Sequence, residues 1–277
     1  MRLIAESQVN GSHPDARRPD NLYVFSRHAF FYTTPVERSA QLQPHSATVL
    51  VSAYNRPFEV VIDGQTHTTR GIAMGSLLRR QVIAPGTGLI ALFIMPESRL
   101  FPHFLSLGPQ RFALLDRDAI APAEPALVAL YEGRAKHQDV MFAYRSLTAM
   151  LREPPGNVMC DGAQHRAREL MQLIAENPDL SLEELAAVHQ MTYSWMSRLF
   201  SHSVGIPLRD YKNWLRRRTV WELLATDLSL TEIAHRAGFS DSAHLSRTYR
   251  RWFGMSPSES RKRKKVQLFR FTAEAAG

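Results

Sequence analysis

The stretch Ser229–Pro257, SLTEIAHRAGFSDSAHLSRTYRRWFGMSP, contains the signals of two short helices joined by a tight turn. Its first serine can cap a helix, and Glu232 stands three residues later, where its carboxylate can complete a capping box. Gly238 follows that helix, and glycine fits the left-handed backbone that such a turn requires. Asp241 or Ser242 then opens a second helix. The stretch therefore predicts a helix–turn–helix unit.

An earlier segment repeats this pattern at an offset of 48 to 49 residues. Ser181–Ala186 (SLEELA) aligns with Ser229–Ala234 (SLTEIA), and Ser197–Phe200 (SRLF) aligns with Ser246–Tyr249 (SRTY). One extra residue in the second copy accounts for the change in offset. A break at His189–Thr192 separates the two helices of the first copy. The chain thus predicts two helix–turn–helix units, the second helix of each shaped to enter a major groove.

Helical periodicity predicts which faces of these helices are buried. The expected inward residues are Met196, Leu199 and Phe200 in the first unit and Leu245, Tyr249 and Phe253 in the second. Between the units, Leu208–Ala225 reads as one helix, which spans about 27 Å at 1.5 Å per residue. One DNA turn is roughly 34 Å, so both second helices can reach successive major grooves on one face of a duplex.

The basic charge of the chain is concentrated in this region. The 277 residues include 34 Lys and Arg against 26 Asp and Glu, for a formal net charge of +8. Between Arg198 and Lys265, 15 basic residues stand against 6 acidic ones, a net +9. This excess favours an anionic partner, with nucleic acid first and an acidic membrane surface second. A solvated basic surface remains open on charge alone.

Several classes are disfavoured by what the sequence lacks. Cys160 is the only cysteine, which excludes an intramolecular disulfide, a Cys-rich zinc site and an iron–sulfur cluster. The first 20 residues have no apolar core of signal-peptide length, and nowhere do 18 apolar residues run together. We therefore expect a reduced, soluble, cytoplasmic protein without a cofactor.

The first half of the chain has the pattern of short strands. Strands are predicted at Ala47–Tyr54, Phe58–Ile62, Ile72–Leu78, Arg80–Ala84 and Leu89–Met95. Asp63-Gly64 supplies a hairpin turn, and this spacing favours an antiparallel barrel or sandwich. Two helices are predicted at Glu124–Arg134 and Gln138–Leu151. The fold class is therefore α+β, with an N-terminal antiparallel β-barrel and helical pair, and an all-α C-terminal domain.

Composition also predicts the domain boundaries. Adjacent prolines and a glycine in Glu153–Asn157 are the clearest linker signal. The predicted organisation is a flexible tail at 1–20, an effector-sensing and dimerisation domain at 21–152, a linker at 153–165, a DNA-binding domain at 166–262 and a flexible basic tail at 263–277.

The chain resembles the AraC/XylS family of bacterial transcription regulators. The resemblance covers about Ala167–Arg261. It is strongest at Ser229–Pro257, which is similar to the family's second helix–turn–helix and its closing FG-x-SP segment. The first unit matches through Leu182–Leu208, including a turn at Gly205-Ile206-Pro207. The N-terminal half resembles the family's cupin-like effector domains through its strand spacing and the turn at Pro85–Gly88.

The resemblance implies a homodimeric regulator that binds double-stranded DNA, responds to a small-molecule effector and contacts RNA polymerase. Dimer contacts are expected from residues 124–151, with Leu127 and Leu147 as interface positions. The resemblance leaves open whether the outcome is activation or repression.

The resemblance implies which residues of this chain would contact DNA. The first recognition helix would present Ser194, Trp195, Ser197, Arg198 and Ser201 to the bases, and the second would present Ser242, Ala243, His244 and Arg247. Arg198 and Arg247 are the strongest candidates, because an arginine can bond guanine O6 and N7 bidentately. Expected phosphate contacts are Arg216, Arg217, Arg250 and Arg251, although a solvated helix face is equally open for residues 216–218.

The N-terminal half offers fewer candidates. Arg70, Arg79 and Arg80 are possible anchors for an anionic effector, although strand alternation puts Arg79 and Arg80 on opposite faces. Isolated histidines at positions 45, 67 and 103, without a His-x-His pair, disfavour a metal site.

Two other function classes compete with an effector-controlled regulator. One is an architectural DNA-binding protein without effector control. The other is a DNA-repair enzyme fused to helix–turn–helix units, whose alkyl-transfer chemistry needs a nucleophilic cysteine. Because Cys160 stands alone beside the linker, the sequence disfavours an enzyme and predicts no catalytic residue.

Overall fold

A computed structural model of the protein describes residues 20–26, 28–35, 37–39, 41–105, 107, 110–151, 162–177, 180–224, 226–253, 256–258, 261 and 264–268. The predicted tail up to residue 19, most of the predicted linker and Cys160 lie outside the described residues. The chain divides into two compact units, residues 1–153 with 262–277, and residues 154–261.

The N-terminal unit contains two β-sheets. Its strands are β1 (Asp20–Val24), β2 (Ala29–Thr34), β3 (Ala47–Ser52), β4 (Phe58–Ile62), β5 (Gln65–Thr69), β6 (Gly71–Met74), β7 (Arg80–Ile83), β8 (Leu89–Ile94), β9 (Phe112–Leu114) and β10 (Lys264–Leu268). The larger sheet has the order β10-β1-β2-β8-β3-β6-β9, and the smaller has the order β5-β4-β7. All pairings are antiparallel except that of β1 with β10.

The sequence predicted five of these strands. The predicted strands correspond to β3, β4, β6, β7 and β8, and Asp63 and Gly64 have the positive φ angles of the expected hairpin turn. β3 and β8 are buried at every position, so they form the centre of the unit. β5 (QTHTT) was not predicted, because its polar sequence becomes a strand only by pairing with β4. The α+β fold class is confirmed.

Four α-helices and a short 3-10 helix (Ala121–Ala123) accompany these sheets among the described residues. The α-helices are labelled in chain order. They are α1 (Phe101–Leu105), α2 (Arg117–Ile120), α3 (Glu124–Tyr131) and α4 (His137–Ala149). The carbonyl groups at the end of α3 receive hydrogen bonds from β1 side chains: Tyr23 Oη donates to Leu130 O at 2.7 Å, and Asn21 Nδ2 donates to Tyr131 O at 3.2 Å. Since a helix leaves its last carbonyls without intrahelical partners, these bonds fasten α3 to the larger sheet.

The structure corrects the prediction that Leu127 and Leu147 lie in a dimer interface. Both side chains are completely buried inside the N-terminal unit. A charge at either position would disrupt this core rather than specifically separate two subunits. Phe142, on α4, is 49% exposed and is the better position at which to probe a dimer through this helical pair.

The C-terminal segment also differs from its prediction. Lys264–Leu268 was expected in a flexible tail, but it forms β10 and pairs in parallel with β1, from Asp20↔Lys264 to Val24↔Leu268. The edge of β1 offers backbone donors and acceptors that any extended segment can use. Local composition gives no sign of such a pairing, since the partners lie more than 240 residues apart.

The C-terminal unit is helical. Its helices are α5 (Gly162–Glu176), α6 (Leu182–Val188), α7 (Tyr193–Val204), α8 (Leu208–Leu224), α9 (Leu230–Arg236) and α10 (Ser242–Phe253). α5 begins inside the predicted linker 153–165. Within the described residues, no helix combines the length and the apolar character that crossing a membrane requires.

Tyr23→Phe tests the contact between α3 and the sheet. Burial raises the pKa of Tyr23 well above its ordinary value. Above about pH 10 the unfolded tyrosine ionises while the folded one keeps its proton, so this contact loses stability as pH rises. We expect the variant to lose about 1 kcal/mol at neutral pH and to fall less steeply above pH 10.

Urea titrations at pH 7 and pH 10.5 measure this effect by circular dichroism. All four tryptophans lie between residues 195 and 252, so their fluorescence follows the C-terminal unit and serves as an internal control. An unchanged dichroism midpoint at both pH values would contradict the role assigned to Tyr23.

Candidate nucleic-acid interface

Reciprocal capping boxes begin α6 and α9. Ser181 Oγ accepts from Glu184 N at 3.1 Å, and Ser181 N donates to a Glu184 carboxylate oxygen at 2.6 Å. Ser229 and Glu232 make the same pair of bonds, at 3.3 and 2.8 Å. The hydrogen bonds from Ser181 and Ser229 lower the pKa of both glutamates, so the boxes are charged at neutral pH. Both helix–turn–helix units thus start with the capping geometry that the sequence predicts.

The turns after α6 and α9 are also equivalent. Met191 N donates to Ala186 O at 2.9 Å in the first turn, and Phe239 N donates to Ala234 O at 2.8 Å in the second. Gly238 has φ +73°, as the sequence predicts for this turn. Gln190 occupies the same place in the first unit with φ +52°. The first turn therefore adopts the left-handed conformation without a glycine. This explains why the sequence indicates only a break between two helices there and no specific turn.

The extra residue of the second copy lies in its turn. Four residues separate α6 from α7, and five separate α9 from α10. Ser240 is the added residue, and its hydroxyl donates to Asp241 Oδ2 at 2.9 Å and lies 3.2 Å from His244 Nδ1. Asp241 caps α10 by accepting from His244 N at 2.6 Å. The longer turn thus fixes the first turn of the second recognition helix.

The first recognition helix, α7, buries one face and exposes the other. Met196, Phe200 and Val204 are buried, whereas Leu199 is only half-buried. Of the proposed base-reading residues on this helix, Ser194, Trp195 and Arg198 are exposed and Ser197 and Ser201 are half-buried. The Arg198 guanidinium donates to Ser194 O at 3.3 Å, within the same helix. The exposed candidates thus lie on the face opposite the core.

The second recognition helix, α10, has the same division. Leu245 and Tyr249 are buried. Ala243, His244 and Arg247 are exposed, and Ser242 is half-buried. The side chain of Phe253 lies outside the described part of the chain. Because α7 and α10 start 49 residues apart, Arg198 and Arg247 occupy equivalent positions, one in each unit.

The two outward faces differ chemically at the residue three positions before each arginine. In α7 this residue is Trp195, which is 39% exposed and has the Arg166 guanidinium 5.8 Å from its ring centre. In α10 it is His244, whose ring lies edge-on to Phe239 at 5.3 Å. The first unit therefore presents an aromatic surface, and the second presents a fixed imidazole.

The proposed phosphate-binding arginines do not share one environment. Arg250 is exposed on α10, and the side chain of Arg251 lies outside the described residues. Arg216 and Arg217 on α8 are half-buried, and burial lowers the pKa of Arg217 against the opposing effect of Asp210. Arg216 lines a recess with Ile174 of α5 and residues of α9. A freely solvated helix face therefore does not describe residues 216–218.

Helix α8 sets the distance between the two helix–turn–helix units of the C-terminal half. Its 17 residues span about 26 Å at 1.5 Å per residue. Five residues form its buried side, namely Leu208, Tyr211, Leu215, Val220 and Leu224. This length is comparable to the spacing of successive major grooves on one face of DNA, roughly 34 Å.

The three arginines proposed to bind an effector in the N-terminal unit differ in their burial. Arg70 and Arg79 are exposed, and Arg70 Nε donates to Asn55 O at 3.0 Å. Arg80 is 1% exposed and donates through Nη2 to Thr48 Oγ1 at 2.7 Å. The His67 ring packs against Phe112. The described residues contain no group of three or more His, Cys, Asp or Glu side chains that could hold a metal.

Sequence reasoning missed three contributors to this surface. Arg166 lies in α5, outside the repeat, so internal alignment gives it no partner. Ser240 and Phe239 lie in the turn, where the alignment changes offset. The one-residue insertion was the available signal for Ser240, because an insertion in a turn changes what reaches the next helix.

Comparisons with known proteins agree with this geometry. Residues 185–263 match the family model described as "Helix-turn-helix domain". The HTH-type transcriptional activator RhaS of Enterobacter sp. (strain 638) is 34% identical over 116 residues, which are 40% of this chain and 42% of RhaS. The HTH-type transcriptional regulator RipA of Corynebacterium glutamicum is 32% identical over 98 residues, which are 35% of this chain and 30% of RipA. The chain thus spans less than half the length of these relatives.

One solved structure resembles most of the chain. ToxT from Vibrio cholerae O395 aligns with a TM-score of 0.53 and 12% identity, over 88% of this chain and 96% of ToxT. At this identity the likeness shows a shared fold. The two-part architecture of an N-terminal β domain and a C-terminal helix–turn–helix domain is therefore confirmed.

Ser229→Ala tests the second capping box. Removing the hydroxyl leaves Glu232 N without its cap and should lower the stability of the C-terminal unit by about 0.5–2 kcal/mol. Ser229→Thr keeps the hydroxyl, which accepts from Glu232 N and donates to the Glu232 carboxylate, and should retain most of the stability. Tryptophan fluorescence during urea unfolding measures both variants, and equal midpoints for the two would contradict the capping role.

Proposed function

We propose that this chain, whose C-terminal unit is an AraC-type helix–turn–helix domain, is a sequence-specific DNA-binding transcription regulator. The observation that carries the proposal is the duplicated, capped helix–turn–helix with an exposed arginine at the equivalent position of each recognition helix. The net +9 between Arg198 and Lys265 supports an anionic duplex as the partner. Chromosomal DNA as the target places the proposed activity in the cytoplasm.

Base reading is assigned chiefly to Arg198 and Arg247. A guanidinium can donate two parallel hydrogen bonds to the O6 and N7 atoms of guanine, which no other base pair presents in that form. Both arginines are exposed, and each lies on the face opposite its helix core. A duplex that meets both recognition helices would therefore be read at two places, spaced by α8.

The remaining outward residues give each half-site its own character. Trp195 and Ala243 offer apolar contact, for example to a thymine methyl group. His244 is held through Nδ1 by Ser240, which leaves Nε2 directed away from that contact for hydrogen bonding to a base. Smaller contributions are assigned to Ser194, Ser197, Ser201 and Ser242, through water or phosphate. The two half-sites should therefore differ in sequence.

Phosphate contacts position the domain rather than select a sequence. Arg250 is the best-placed candidate, because it is exposed on α10 beyond the base-reading face. Arg216, Arg217 and Arg251 are further candidates for phosphate contact. The N-terminus of α7 adds backbone N–H donors and the positive end of a helix dipole. At the N-terminus of α10 the Asp241 carboxylate already accepts from His244 N.

The N-terminal unit is assigned a regulatory role. We infer that it binds a small-molecule effector within its cupin-like sheets, that it mediates homodimer formation through the α3–α4 pair, and that the bound regulator contacts RNA polymerase. No enzymatic activity is assigned to either unit. Effector binding would act by shifting the population of states in which the two DNA-binding units of a dimer fit their sites.

Arg247→Ala tests base reading. Selection from a random duplex library with the full-length protein first defines the preferred site. On that site the variant should lose about 1–3 kcal/mol of binding free energy and relax its preference at one base pair. Fluorescence anisotropy measures the loss, and a repeated selection measures the relaxed position. Equal losses on preferred and random duplexes would refute the base-reading role.

Arg250→Gln is the matched comparison on the same helix. Because Arg250 is proposed to contact a phosphate, its replacement should weaken binding to all duplexes alike. It should also reduce the dependence of log K on log salt by about one unit. Footprinting of the wild-type protein separates a regulator from an architectural protein. Two protected half-sites are expected, whereas uniform, salt-sensitive coverage would contradict sequence specificity.

A further inference from the structure

Arg80 is a charged side chain in the interior of the N-terminal unit. It lies at the start of β7 and is 1% exposed. The register pairs it with Ile62 of β4, so both side chains share the inner face of the smaller sheet. Its hydrogen bond to Thr48 reaches β3 of the larger sheet and therefore crosses the space between the two sheets.

Among the described residues, no carboxylate pairs with this guanidinium. Nη2 donates to Thr48 Oγ1 at 2.7 Å, but Nη1 is buried and has no hydrogen-bond partner. Burial alone lowers the pKa of Arg80 to about 9, and no carboxylate of the described residues opposes that shift. Arg80 therefore still carries its charge at neutral pH.

A buried cation without a partner is expensive for a folded protein. Moving a charged group out of water costs several kcal/mol unless an opposite charge or a full set of hydrogen bonds compensates it. A neutral hydroxyl such as that of Thr48 satisfies one donor and supplies no negative charge. The protein thus holds a preorganised donor whose natural complement is an anion.

The wall around this donor is apolar. The register places Phe93 and Met74 beside Thr48 on the inner face of the larger sheet, and Phe30 stacks on Phe93 at 4.9 Å. These side chains are buried, as are Ile62 and Val82 of the smaller sheet. An occupant must therefore combine an anionic group with an apolar body, since small-molecule sites pair apolar walls with few polar anchors.

We propose that Arg80, assisted by Thr48, binds the carboxylate of a small apolar organic acid between the two sheets of the N-terminal unit. The planar guanidinium matches a carboxylate through two parallel N–H···O bonds, for which Nη1 is available. This proposal rests on the assignment of the N-terminal unit as the effector-binding half, and it names the chemical class of the effector. Arg70 and Arg79, both exposed, take no part.

The test compares Arg80→Met with Arg79→Met in the full-length protein. Methionine keeps much of the side-chain length while removing the charge, and Arg79 is the adjacent, exposed control. Thr48→Val removes the assisting hydroxyl while keeping the volume of the side chain. The probes are hexanoate and phenylacetate, each compared with its neutral amide at constant ionic strength. Circular dichroism during thermal unfolding reports both units, and tryptophan fluorescence reports the C-terminal unit alone, so a midpoint shift seen only by dichroism belongs to the N-terminal unit. Calorimetric titration measures binding directly.

Three results are expected. Without any probe, Arg80→Met unfolds at a higher temperature than the wild type, because an uncompensated buried charge is gone. At least one carboxylate raises the unfolding midpoint of the wild type and of Arg79→Met by roughly 2–4 °C, and its amide does not. The same carboxylate has no effect on Arg80→Met and binds Thr48→Val at least several-fold more weakly.

Any of three outcomes overturns the proposal. These are a lower midpoint for Arg80→Met than for Arg79→Met, an equal response to a carboxylate and its amide, and the absence of a response to either carboxylate in the wild type. Tryptophan fluorescence of the C-terminal unit should stay unchanged throughout and shows that the variants remain folded there. These measurements contain no DNA, so their failure leaves the DNA-binding proposal standing. The absence of site-specific DNA binding by the wild type would refute that proposal separately.

Discussion

The C-terminal unit depends on a pair of reciprocal hydrogen bonds that occurs twice. In each capping box, a serine hydroxyl and a glutamate carboxylate satisfy backbone N–H groups that a helix start leaves without partners. The boxes of Ser181 and Ser229 fix the first residues of α6 and α9. Each of these helices then has only seven residues before its turn. A shift of either start would rotate the small inward residue, Ala186 or Ala234, away from the helix it packs against.

The two copies have diverged on their outward faces and kept their inward ones. Buried positions are filled by Met196 and Phe200 in α7 and by Leu245 and Tyr249 in α10, which serve the same packing. The exposed tryptophan of α7 has its counterpart in the imidazole of α10. The inserted Ser240 explains how the second copy can hold that imidazole, because one additional turn residue brings a hydroxyl next to it. In the proposed DNA-binding role, these differences suit an asymmetric pair of half-sites.

The N-terminal unit shows a different use of burial. Its central strands are buried on both faces, which is expected of a sheet covered on both sides. Within that core, Arg80 departs from the rule that buried charges are paired. A site that binds an anion must keep its donor desolvated and unsatisfied before the ligand arrives, so stability is lost where binding is gained. Arg79, immediately before β7, is exposed, whereas Arg80, the first residue of that strand, lies in the core.

The sequence by itself determined the features that depend on neighbouring residues. Capping boxes, the glycine turn at Gly238, the periodicity of α7 and α10, and the hairpin at Asp63-Gly64 all arise from contacts within a few residues, so a linear pattern contains them. Only the tertiary structure decided the pairing of β10 with β1, the burial of Leu127 and Leu147, and the environment of Arg80. These depend on residues that are distant along the chain, and the same local sequence is compatible with an exposed or a buried position. The contact between Arg80 and Thr48 exists because two sheets face each other, which no window of sequence records.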